Sequence, residues 1–137
     1  MLTPDDFNTH LYSELITAIG RNEPAVLQAA IDAAKGEAEG YLSRFDVQSL
    51  YAEVAADRDP VLLMRLKDIA AWHFINLANA DIDLELRKTR YEEAIKWLKD
   101  VQRGIVSMPD WPLPVEEDPS DYDVLRISSR TRRETNY

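Results

Sequence analysis

The residues of this chain with which metal or acid-base chemistry would have to be done are two histidines, His10 and His73, and a large supply of carboxylates. A ligand set could in composition be drawn from the two histidines and scattered carboxylates, but no HxxxH or HExxH pair, the spacing that sets two histidines on one helix face, occurs. The two histidines fall on different expected helices. His73 lies on an apolar stripe, where a hydrogen-bonded interior histidine is the expectation. The acids of residues 81–92 occupy positions 1, 3, 5 and 12 of a calcium-loop template. Leu86 stands where that loop needs glycine for its sharp turn, however, and Lys88 stands where an apolar residue belongs. Asp81 or Asp83 capping the helix that follows explains these acids better. Cysteine is absent, which removes thiolate chemistry, disulfides and Cys-type metal sites together. With no nucleophile elbow, phosphate-binding glycine loop or dinucleotide fingerprint either, the expectation is a non-enzymatic chain that takes no cofactor and no metal.

The elements that would carry any site are helical. Thr3 as N-cap, Pro4 at the first helical position and the acids Asp5 and Asp6 start a first helix near residue 4. Its apolar residues Phe7, Leu11, Leu15 and Ile19 recur every four positions, and Gly20 stops it. Asn22 and Pro24 announce a second helix running to about Phe45, with Leu27, Ile31, Ala34, Ala38, Tyr41 and Phe45 on its core face. The opposite face carries Ala25, Ala29, Ala33, Gly36 and Gly40, a column of small residues that lets another backbone come close. Interior glycine costs about 0.8–1 kcal/mol relative to alanine, so a packing reason is expected. Either this helix is the centre of the bundle, touched on both sides within one chain, or the column is a contact between subunits.

Residues 46–58 form a connection with a short helix near residues 49–55. Asp59 then caps a helix opened by Pro60. Leu62, Leu66, Ile69, His73 and Leu77 line one side of it, while Met64, Ala71, Trp72, Ile75 and Ala78 line the other. Such a helix is buried nearly all round or covered by a partner. A last helix spans about residues 84–103, with Tyr91, Ala94, Ile95, Leu98, Val101 and Ile105 on its apolar face and Gly104 as C-cap. On its wet side Glu92 and Lys96 form a favourable i,i+4 pair. The fold class is therefore all-α, a compact bundle of four to five helices over residues 1–108.

After Met108 four prolines forbid helix, and an acidic run precedes a tip bearing Arg126, Arg130, Arg132 and Arg133. Residues 109–137 read as an extended arm, ordered mainly by contact with a partner, in which residues 124–128 have the composition of a short strand. Trp111, in an arm with no core of its own, is expected at an interface. Trp97 at the margin of the last helix fits a core edge and an interface anchor equally. A formal net charge of -9 argues against a domain devoted to neutralising phosphates. The greasiest stretch, residues 69–80, is interrupted by His73, Asn76 and Asn79 and does not read as a membrane span. No export signal is visible at the amino terminus.

Taken in order, LTPDDF at the start, LQAAIDAAKGEAEGYLSRF, DPVLLMRLKDIAAWHFI and RYEEAIKWLKDVQRGIVSMP resemble the small structural proteins of Mu-like prophages over about residues 2–108. That family is similar to the helical head-tail connectors of long-tailed phages. The resemblance implies a virion structural protein of the neck region, present in the host cytoplasm during assembly. It would form a homo-oligomeric ring between portal and tail-side connector proteins, with no membrane contact and with DNA only passing through the channel. On this expectation the contact residues are Ala29, Ala33, Gly36, Gly40, Met64, Ile75, Trp111, Arg126, Arg130, Arg132 and Arg133. The competing expectation is a helical DNA-binding or packaging accessory protein using the arm's arginines.

Overall fold

The computed structural model describes residues 1–8, 24–78 and 84–115. These form four α-helices, α1 (Pro24–Glu39), α2 (Val47–Ala52), α3 (Pro60–Ala78) and α4 (Leu84–Gln102), with short 3-10 helices at Pro4–Phe7 and Ala55–Asp57. The all-α class holds. The continuation of the first helix through Leu11, Leu15 and Ile19, the histidine at position 10 and the capping acids Asp81 and Asp83 lie outside the described residues.

Local chemistry sets most of the boundaries. Asp59 accepts from the backbone N–H groups of Val61 and Leu62 (2.9 and 2.8 Å), so it caps α3 and leaves Pro60 at a position where a missing N–H is harmless. Asp46 caps α2 in the same way through Ser49. Gly104, at φ 75°, ends α4. Its N–H bonds the Val101 carbonyl and the next N–H, of Ile105, bonds the Asp100 carbonyl, the paired closure that a left-handed residue makes possible. The reversal turns Ile105 outward to 69 % exposure, although it continues the apolar spacing of α4.

α1 is shorter than its hydrophobic period implies. It stops at Glu39, and Gly40 and Tyr41 form a turn closed by the Tyr41 and Leu42 N–H groups on the Ala38 carbonyl. Tyr41 and Phe45 still pack against the core, because the turn keeps them on the same side as Ala34 and Ala38. α3 lies between α1 and α4 and packs on both, so α3, not the preceding long helix, is the centre of the bundle. Leu62, Leu66, Ile69, Ala70 and Phe74 are buried along it. Leu77, at the end of the same stripe, is exposed. On α4, Glu92 meets Lys88 at 3.7 Å, a pair open to solvent at both ends and worth little.

The amino-terminal turn is clamped to the body. Leu2 and Phe7 are buried, and Arg58 donates from Nη1 to the Met1 carbonyl (2.8 Å) and to both oxygens of Asp6 (2.9 and 2.8 Å). Thr3 sits at the N-cap of a capping box with Asp6, whose carboxylate accepts from both the Thr3 N–H and the Thr3 hydroxyl (2.8 Å each). Burial pushes the Asp6 carboxyl up, yet the hydrogen bonds from Arg58 and Thr3 outweigh it and hold the group below the usual carboxylate range. A depressed folded value means stability that is complete above the unfolded carboxylate value, about 3.9, and is lost as the pH falls through the folded one. Asp6→Asn should lower stability at pH 7 by about 1–3 kcal/mol. In urea unfolding at pH 7 and pH 3 that deficit should shrink at the lower pH, and a deficit equal at both would contradict this account of Asp6.

Candidate interaction surface

The outward face of α1 is set by the same periodicity that sets its core face. Leu27, Ala30, Ile31, Ala34 and Ala38 are buried, while Ala25, Ala29, Ala33 and Gly36 all stand exposed, and Gly40 continues their line in the turn beyond. A Cβ built on Gly36 meets nothing within 4 Å, and one on Gly40 first meets the Glu37 carbonyl at 3.5 Å. Packing inside the chain therefore does not require glycine at either position. The column of Ala29, Ala33, Gly36 and Gly40 is a low, open ridge flanked by polar groups, among them Gln28 and Asp32, which hydrogen-bond each other at 2.9 Å.

The second flank expected on α3 does not survive as a unit. Met64 is 43 % exposed, but Ile75 is 2 % exposed and Ala71 is buried. Met64 and Ile75 differ by only about 20° around the helix, yet they lie about 16 Å apart along it. One end of that line is open and the other is covered, so Ile75 belongs to the interior and is withdrawn as a contact residue.

Trp111 is also corrected, and its environment explains why. It is 6 % exposed, against the expectation of an interface anchor. Its ring meets Phe45 edge-on at 5.0 Å and Trp97 edge-on at 6.2 Å. Its indole N–H donates to Oδ2 of Asp59 at 3.2 Å, the oxygen that the α3 cap leaves over. The Pro112 carbonyl accepts from the Asp46 N–H at 2.8 Å. The arm's root thus borrows the body's core, and Trp97 is the half-buried core margin beside it. Beyond this clasp Leu113 and Val115 are 70 % and 86 % exposed. Arg126, Arg130, Arg132 and Arg133, with the strand-like residues 124–128, lie outside the described residues.

One polar cluster was not legible in the sequence. Glu37 of α1 accepts from the Tyr91 hydroxyl of α4 at 2.6 Å through one oxygen and meets His73 Nε2 of α3 at 2.8 Å through the other. Trp72 stacks on Tyr91 with 5.6 Å between centroids. Burial and the Glu37 carboxylate push the Tyr91 hydroxyl well above its ordinary value, so it stays a donor. His73 is hydrogen-bonded, as its place on the stripe implied, though it is half-buried rather than interior. Both carboxylate oxygens are engaged, so the cluster ties three helices together. The available signal was the wheel position of Glu37 at the edge of the apolar stripe of α1. Among the described residues no group of three or more His, Asp or Glu side chains converges to hold a metal ion, and no helix is long and apolar enough to cross a membrane.

A family model described as bacteriophage Mu, Gp36 matches residues 2–121. No curated protein matches the chain, and no solved structure does.

Proposed function

Since that match spans most of its length, the chain belongs to the bacteriophage Mu Gp36 family, and from this premise we propose that it is a non-enzymatic structural protein of the phage virion, a head-tail connector assembling as a ring between portal and tail. The observation that carries the reading is the open column of α1. Ring subunits join by heterologous contacts, in which one surface of each copy meets a different surface of the next. That demands close-packing area left uncovered by the chain's own fold. Ala29, Ala33, Gly36 and Gly40 provide it on α1 and Met64 adds an apolar edge on α3, while Ile75 and Trp111 take no part.

In this reading the arm beyond residue 115 is a second point of attachment, to a neighbouring copy, the portal or a tail-side connector. A truncation that tests it has to preserve Trp111, since cutting at residue 109 removes a core residue and confounds assembly with folding. Ending the chain after Val115 should leave the unfolding free energy from urea denaturation within about 0.5 kcal/mol of the parent, as surface changes do, and weaken association with the portal at least tenfold, about 1.4 kcal/mol. Unchanged association would count against the arm's role. If the truncation instead abolishes a salt-sensitive retention on DNA that the full chain displays, the accessory DNA-binding reading replaces this one.

A further inference from the structure

Beside the arm's root lies a cleft of ≈ 260 Å³, walled by Phe45, Val101, Val106, Met108 and Trp111 and edged by Leu113. We propose that this cleft seats the apolar run at residues 124–127 from the arm of a second copy. The proposal rests on the ring reading above and adds to it a specific site and a specific occupant.

Size argues for a few side chains rather than a small-molecule ligand, whose pockets run from about 300 Å³ upward. Charge argues for this chain's own arm. Arg44 stands exposed at the mouth, its guanidinium lying so close over Gly104 that a Cβ there would sit 2.9 Å from Nη1, and it has no ion-pair partner among the described residues. Residues 116–123 hold five carboxylates, Glu116, Glu117, Asp118, Asp121 and Asp123, and no basic residue. Directly after them come Val124, Leu125 and Ile127. In an extended segment alternate side chains share a side, so a run bound in that form would present Leu125 and Ile127 to the cleft together. The preceding acids are then delivered to Arg44.

Geometry argues for a second copy. The chain's own residues 106–113 are a wall of the cleft, pinned by Trp111 and by the Pro112 carbonyl. The same arm therefore leaves from the rim and would have to double back over its own exit to fill the site. From residue 115 to residue 127 an extended chain reaches about 40 Å, more than the roughly 30 Å width of a small domain. An adjoining body is within range, and an arm-to-cleft contact is heterologous, the kind that closes a ring.

The absence of cysteine gives a clean test. Full-length Ser107→Cys and Leu125→Cys chains are mixed in equal amounts, assembled with the portal, treated with a short bis-maleimide and digested, with the mass of the assembly measured in parallel. The expected result is covalent dimers containing a 107–125 link, together with at least a tenfold loss of assembly in Leu125→Asp. Ring assembly without that link overturns the cleft assignment and leaves the ring reading standing. The Ser107→Cys/Leu125→Cys double variant, cross-linked in the same way, separates the two sources of the arm: a 107–125 link found there only within single chains assigns the cleft to its own arm and also overturns the proposal. Failure of any ring to form overturns both.

Discussion

Replacing Trp111 with alanine should lower the unfolding free energy by about 3–5 kcal/mol, the loss typical of a large aromatic removed from a packed core. The residue lies past the last helix among prolines, where a substitution in a free arm would cost within about 0.5 kcal/mol. The expected magnitude comes from its surroundings, with two aromatic rings in edge contact and the indole N–H on Asp59. Trp111→Phe keeps most of the ring contact and gives up the hydrogen bond, for about 1 kcal/mol. Urea denaturation of the full chain measures both. A Trp111→Ala cost below about 1 kcal/mol would mean that the arm's root is not part of the core.

The second large effect is on assembly. At Gly36 a new Cβ meets nothing, so Gly36→Ala should stabilise the isolated chain by about 0.8–1 kcal/mol, the helix-propensity difference. Gly36→Trp leaves the fold equally undisturbed but raises a bulky ring from the middle of the small-residue column. If a second copy lies along α1, association should fall about a hundredfold, equivalent to about 2.7 kcal/mol. Thermal unfolding of each variant and co-sedimentation with the portal separate the two effects. Unaltered assembly of Gly36→Trp would remove α1 from the subunit interface.

Much of the helical frame could be read before any coordinates, because caps are local chemistry. Asp59 with Pro60 and Gly104 after α4 each announce a boundary through groups within a few residues of one another, whereas the Asp46 cap was not read and the short helix, expected near residues 49–55, spans Val47–Ala52. The end of α1 was hidden because Tyr41 and Phe45 reach the core from a turn while keeping helical spacing, so periodicity continued after the helix had stopped. The column on α1 was visible as a pattern, but whether its own chain covered it depended on α3 being the central helix. Sequence could not place Trp111 because its partners Phe45, Asp59 and Trp97 come from three separate elements. Proline content described the arm's backbone and was silent on where its one indole would go. Ile75 and Met64 were grouped by angle alone, and height along the helix decided between them.

The reading of this chain as a ring subunit stands on surface that its own fold leaves open. Sedimentation of the full chain, alone and mixed with its portal, addresses that most directly. Rings that form only on the portal leave the free chain at 15.7 kDa, so the mixture is the deciding sample. The account predicts several copies bound per portal in one discrete complex, with Gly36→Trp lost from it. A chain that still sediments at 15.7 kDa beside an unaltered portal, at every concentration and salt tried, would contradict it.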